Sequence, residues 1–218
     1  MLSALTLRGN VSRVNMVRMD KPNYHHGDLA NALIAAALAA VEQDGPDAVS
    51  LRDLAQTLGV SRAAPYRHFA DRDALLASVA ARGFDDLNIG YEAALAAEGG
   101  GGEKLRAAGR VYLDFARRRP GLFQLMFESD FLGRDRPPEV LIGPADKAYN
   151  LLWRAMEAAC PGADEPAIKA RTIVVWSTIY GYIALSRAHR FKEFMLGPLT
   201  IPEVEATLIE ATLSLACG

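Results

Sequence analysis

The chain has 218 residues, half of them hydrophobic, which is enough to bury a sizeable core in one large domain or two small ones. Its formal charge of -2 and pI near 6.1 exclude a protein that is basic all over, so any surface for nucleic acid must be local. Two distant cysteines, Cys160 and Cys217, lack the CxxC spacing of a zinc site or redox pair, and no run of about 18 apolar residues offers a membrane span. The expectation is a soluble cytoplasmic chain with no metal, no cofactor and no membrane partner.

Residues 1–19 carry Arg8, Arg13 and Arg18 without an acid and without periodicity, which reads as a disordered extension, with a basic arm along DNA as the alternative. Adjacent His25 and His26 have no ligand cluster beside them and are read as packing or flanking groups. From there on apolar residues recur at three and four, and alanine and leucine dominate, so the fold class is all-α.

A first helix is expected over 28–43, stopped by "DGPD" at 44–47. Ser50 offers an N-cap to a second helix over 51–58, with Asp53 at the capping-box position, and Gly59 ends it. Ser61 caps a third short helix running to about Phe69. Pro65 within it forfeits a bond to the Ser61 carbonyl, a defect that would cost about 3 kcal/mol deeper in a helix. After "ADRD" at 70–73 comes a long fourth helix to about Ala97, ended by "EGGGG". Further helices are expected at 103–119, 121–129, 144–160, 165–190 and 203–216.

The stretch "SLRDLAQTLGVSRAAPYRHF" (50–69) has what a helix-turn-helix needs: a small residue at the crossing (Ala55), a turn residue that tolerates a left-handed backbone (Gly59), and apolar residues setting the second helix. Small Ala63 and Ala64 let a backbone approach a groove. Arg62 and Arg67 supply forked donors for a guanine edge or a phosphate, with no acid between Val60 and Ala70. An ordinary helical hairpin with solvated arginines is the bland alternative.

"YHHGDLANALIAAALAAVEQDGPDAVSLRDLAQTLGVSRAAPYRHFADRDALLASV", residues 24–79, resembles the N-terminal signature of the TetR/AcrR family of bacterial transcription regulators. The resemblance implies a three-helix DNA-binding domain over 20–80, joined by the long fourth helix to a helical ligand-sensing and dimerisation domain over 81–218. It implies that Ser50 bonds a phosphate, that Arg62, Ala63 and Ala64 face base edges, that Tyr66 and His68 hold phosphates, and that Arg72 is a basic phosphate contact. Ser61 joins this DNA-binding set as the cap, and Arg67 serves either purpose. Helix N-termini, hydroxyls and imidazoles are natural phosphate ligands on physical grounds as well.

"WSTIYGYIAL" (176–185) resembles the Trp-His-Gly type of regulator C-terminal domain, with Tyr180 where that pattern has histidine. Phe123, Phe127, Trp153, Trp176 and Tyr180 are candidates to line a pocket for a small apolar effector, although aromatic residues at this spacing also serve as plain core. Excess apolar positions on the two late helices, Ile173, Val174, Ile179, Ile183 and Leu185, then Val204, Leu208, Ile209 and Leu213, are candidates for the homodimer seam that the family builds from its last two helices.

The expected function is a ligand-responsive transcriptional regulator, a repressor that binds a near-palindromic operator in double-stranded DNA as a homodimer. Two other classes remain: a ligand-free DNA-binding adaptor, and an enzyme using the pocket. No Ser/His/Asp set, carboxylate pair or cofactor loop stands at useful spacing, so no catalytic residue is assigned.

Overall fold

The computed structural model describes residues 26–217, and the expectations for residues 1–19 and for the side chains of His25 and His26 lie outside them. Among the described residues there are helices and turns and no strand. The first is α1 (His26–Asp44), which buries Leu29, Leu33, Ala37 and Val41 on one face. Gly45 and Pro46 stop it, and a single 3-10 turn over Pro46–Ala48 leads to α2 (Leu51–Thr57).

Ser50 caps α2, its hydroxyl accepting from the Asp53 amide at 3.4 Å. The far end closes by the pattern in which a left-handed residue lets two amides reach back. Gly59 N donates to Gln56 O at 3.1 Å and Val60 N to Ala55 O at 3.0 Å, with Gly59 at φ 67°. A side chain there would strain the backbone, so the turn between the two short helices requires this glycine.

The third expected helix is not a regular α-helix. Residues 61–70 form a succession of tight turns with one 3-10 helix, Pro65–Arg67. The cause is Pro65. It has no amide hydrogen for the Ser61 carbonyl, which accepts from Ala64 N at 2.9 Å instead, and the bonds that follow, Arg67 to Ala64 and His68 to Pro65, keep the tighter i to i+3 spacing.

The long helix that follows is α3 (Arg72–Ala96), capped by Asp71, whose carboxylate accepts from Ala74 N at 2.8 Å. Its early turns bury Leu75, Leu76 and Val79 against α1, and its later turns bury Phe84, Leu87 and Tyr91 among the helices beyond. These are α4 (Gly101–Arg118), α5 (Pro120–Phe127), α6 (Glu139–Ala159), α7 (Glu165–Arg187), the one-turn α8 (Glu193–Leu196) and α9 (Ile201–Cys217). One continuous apolar cluster runs from Leu29 to Ala216, so no break in the core marks the domain boundary expected at residue 80.

Three boundaries differ from expectation for local reasons. The helix expected over 144–160 begins five residues earlier, because Pro144 sits inside α6 and Leu141, fully buried, extends the packed face ahead of it. That expected at 165–190 ends at Arg187, where His189 takes a left-handed φ of 52° and Arg190 N reaches back to Leu185 O at 2.9 Å. The last helix starts two residues early because Thr200 and Glu203 cap it reciprocally, at 2.8 Å and 3.4 Å.

α5 is pressed against the end of α1. A Cβ on Gly121 would run into the Val41 carbonyl, and Arg119 Nε donates to the Glu42 carboxylate at 2.7 Å while its Nη1 lies 3.5 Å from Asp86 on α3. Arg187 ties α7 to the same helix through the Pro120 carbonyl and Glu128. The N-terminal head is thus held to the body by α3 and by α5.

Candidate nucleic-acid interface and cavity of the body

The turn segment after α2 presents Ser61, Arg62, Ala63, Tyr66 and Arg67 to solvent, with Tyr66 57% exposed. Pro65 and Phe69 point the other way and anchor the segment in the core. Neither Arg62 nor Arg67 has an ion-pair partner among the described residues. The surface is therefore a patch of free cations, a phenol and small side chains on a segment fixed from behind. His68 is half-buried at its edge, and Ser50 stands at the N-terminus of α2.

Two residues assigned to this surface take other positions. Ala64 is half-buried and packs against the core instead of lying with Ala63, because the 3-10 spacing turns it inward beside Pro65. Arg72 folds back onto the turn between α1 and α2: its Nε donates to Val49 O at 2.9 Å, its Nη2 to Pro46 O, and Asp47 lies 3.8 Å away. Its engaged donors fasten the α1–α2 turn to the start of α3. Conversely, Arg52 in the first turn of α2 is exposed and without an ion pair among the described residues, a basic group beside Ser50 that the motif-based reading passed over.

In the body, a cavity of about 560 Å³ lies between α3, α4, α5, α6 and the connector before α6, with Trp176 of α7 at its edge. Phe84, Leu87 and Tyr91 of α3, Tyr112 of α4, Met126 and Phe127 of α5 and Leu152 of α6 line it. Trp176 Nε1 donates to the Tyr112 hydroxyl at 3.1 Å. Burial pushes the Tyr91 and Tyr112 phenols above their ordinary range, so both stay neutral. Ser129 Oγ is buried without a hydrogen-bond partner among the described residues and also lines the cavity.

Of the five aromatic residues expected at a pocket, the structure brings Phe127 and Trp176 to this cavity. Phe123 is fully buried and packs with Tyr112, Phe127 and Tyr180, so Phe123 and Tyr180 belong to the core beside it. Trp153 lies on a separate, more polar pocket with Cys160 and Ile168, under the Lys169 ammonium at 5.9 Å. Tyr91 and Tyr149 line the cavity and lie outside the expected set. The signal for the first is an aromatic residue one turn beyond Leu87 on the face that also carries Phe84.

The expected seam residues also divide. Ile179, Ile183 and Ile209 are 4%, 4% and 3% exposed and fill the chain's own core, so they cannot meet a partner directly. Val204, Leu208 and Leu213 are half-buried against that core. Ile173 is 54% exposed, and Val174 and Leu185 stand out on the same helix.

The class these features define, a compact helical head with a free cationic turn joined through one long helix to a hollow helical body, is also what comparison finds. Residues 33–79 match the model for bacterial regulatory proteins of the tetR family, and residues 105–204 match the tetracyclin repressor-like C-terminal domain. The chain belongs to the TetR family and is a DNA-binding transcriptional regulator. It is 32% identical over 100 residues to the HTH-type transcriptional activator FasR of Mycolicibacterium smegmatis, a match that spans 46% of this chain and 45% of that one. A protein of unknown function from Rhodococcus sp. RHA1 is 29% identical and superimposes with a TM-score of 0.74, covering 88% of this chain and 97% of that chain. The TetR-family regulator PfmR of Thermus thermophilus shares the fold at 23% identity and a TM-score of 0.58, over 84% of this chain and 97% of its own. No helix among the described residues is long and apolar enough to cross a membrane.

Proposed function

We propose that the protein acts as a homodimeric repressor that sits on a near-palindromic operator and leaves it when a small ligand fills the cavity of the body. The observation that carries this reading is the path of α3. Its first residue, Arg72, fastens the head, and its residues Phe84, Leu87 and Tyr91 line the cavity, with Tyr91 about 28 Å along the helix axis from Arg72. A ligand that shifts the later turns shifts the head rigidly, which changes the separation of two recognition segments in a dimer. DNA and ligand then oppose each other by linkage.

In this reading Arg62 and Ala63 meet base edges, and Ser50, Arg52, Tyr66 and His68 hold phosphates, with Ser61 and Arg67 at the groove margin. Arg72 acts indirectly by holding the turn. The partner subunit packs on the outer face of α7, where Ile173, Val174 and Leu185 are exposed and Gly181 leaves open space for close approach. A hollow body with a Ser129 hydroxyl that has no hydrogen-bond partner among the described residues favours a sensor over a ligand-free adaptor, whose core would be solid.

The test is selection of genomic fragments by the purified protein, followed by footprinting of the enriched site with and without cavity ligands. An enriched palindrome overlapping a promoter, cleared by ligand, is the expected result. Failure to enrich any site at moderate salt sinks the operator reading. A site upstream of a promoter whose transcription rises on binding would replace repression with activation, the mode named for the Mycolicibacterium relative.

A further inference from the structure

The structure assigns the cavity to a lipophilic cation: an amine or quaternary ammonium group carried on an apolar body. This rests on the reading that the cavity takes an effector, and it adds the effector's charge.

Three observations carry it. The first is the charge of the walls. Among the residues that line the cavity there is one ionisable carboxylate, Asp146, and no lysine, arginine or histidine. An anionic headgroup would find no cation on these walls, whereas a cationic one meets Asp146, which is exposed at the rim. Asp146 has no ion-pair partner among the described residues, and the neighbouring Lys147 is engaged elsewhere, its Nζ 2.8 Å from Glu92.

The second is the aromatic content. Phe84, Tyr91, Tyr112, Phe127, Tyr149 and Trp176 contribute six rings to one cavity. Aromatic faces carry negative potential and attract ammonium groups, more strongly when the cation is weakly hydrated, as quaternary and alkylated amines are. Rings alone would also suit a neutral hydrocarbon. Rings with a free carboxylate at the same mouth discriminate in favour of positive charge.

The third is their placement. Ile142, Asp146 and Tyr149 follow one another at four and three residues on α6, so they share the face of that helix at the cavity's edge. Ile142, Tyr149, Leu132 and Trp176 are all substantially exposed, giving the entrance an apolar rim. The interior beyond is apolar apart from the two neutral phenols and Ser129. The cationic head therefore rests at the mouth between Asp146 and Tyr149, and the apolar body lies inside against Leu87 and Met126.

Calorimetric titration of the full chain with three probes of one chain length, decyltrimethylammonium, decanol and decanoate, each below its micelle concentration, tests this. Decyltrimethylammonium is expected to bind roughly tenfold or more tighter than decanol, with decanoate weakest. Asp146→Asn should bring the cation to within about threefold of decanol while leaving decanol unchanged, since an exposed amide replaces an exposed acid without disturbing the fold. Tyr149→Leu should weaken the cation more than the alcohol. Quenching of Trp176 fluorescence, lost in Trp176→Phe, ties the heat to this cavity. Equal affinity for cation and alcohol, tightest binding of decanoate, binding of none of the three, or selectivity unchanged in Asp146→Asn would each overturn the assignment. Operator binding is measured separately: a cation that fills the cavity and leaves operator affinity intact keeps the ligand class and defeats release.

Discussion

The head and the body handle charge in opposite ways. On the head, Arg52, Arg62 and Arg67 stand exposed and without ion pairs among the described residues, the last two in a stretch where no acid occurs between Val60 and Ala70. In the body, several arginines are structural ties, Arg106 meeting Glu210 at 2.9 Å, Arg119 meeting Glu42 at 2.7 Å and Arg134 meeting Asp73 at 2.9 Å, and the residues that line the cavity include no lysine, arginine or histidine. A chain of net charge -2 can therefore meet a polyanion with one end and a cation with the other. What marks Arg62 and Arg67 is the absence of a pair among the described residues together with their place on an acid-free turn, which composition cannot show.

The two regions can act on each other only if they are rigidly joined, and the largest expected effect attacks the joint. Gly121→Val places side-chain atoms on the Val41 carbonyl, a backbone group that cannot step aside without moving α1 against α5. Destabilisation of about 3 kcal/mol is expected in urea unfolding. A variant as stable as the parent would mean that α1 and α5 are not pressed together.

The next effect sharpens what the head reads. Arg62→Ala should cost about 1 to 3 kcal/mol against the selected operator and much less against random DNA, measured by competition binding. Equal losses on both would move Arg62 from base edges to the backbone.

Arg72 and Arg52 then separate holding from touching. Arg72→Ala removes donors from the Val49 and Pro46 carbonyls and should lower stability by about 1.5 kcal/mol while leaving the salt slope of DNA binding unchanged. Arg52→Ala should do the reverse, with unchanged stability and a slope shallower by about 0.9. A slope change in Arg72→Ala would restore it as a phosphate contact.

Much of the head was legible in the sequence because its determinants are local. Gly59, the Ser50 cap and the apolar positions of α1 and α2 each act within a few residues. The missing amide of Pro65 was legible too, but not that it would reset the whole segment to 3-10 spacing and rotate Ala64 inward. The body was less legible. Its helices were found, yet which aromatic residue faces a cavity depends on how α3, α4, α6 and α7 stack, and periodicity gives a face without saying what lies opposite. Ile179, Ile183 and Ile209 show the same limit: surplus apolar positions do not reveal whether the chain's own core or a second copy will cover them. Arg72 shows it for charge, since a motif position fixes a residue type and not the direction its guanidinium takes.

The smallest expected effect on stability bears most directly on how the two regions communicate. Arg134, in the connector before α6, holds Asp130 beside it at 2.8 Å and Asp73 in the first turn of α3 at 2.9 Å, with its guanidinium over the Phe131 ring. The charge-assisted bonds, Asp130 first and then Asp73, raise the Arg134 pKa, and Arg134 in turn lowers that of Asp130. Ser129, Leu132, Gly133 and Pro137 of the same connector line the cavity, so a ligand that displaces them pulls on the pair that grips the head. Arg134→Ala removes an exposed tie and should barely move the melting temperature, because partly solvated pairs add little to stability. It should nevertheless weaken the ability of a cavity ligand to release DNA, leaving both the ligand affinity of the free protein and the operator affinity without ligand close to those of the parent. That pattern is a loss of coupling between two intact sites. Full release in Arg134→Ala would leave α3 and α5 as the carriers of the signal and reduce the connector to a wall of the cavity.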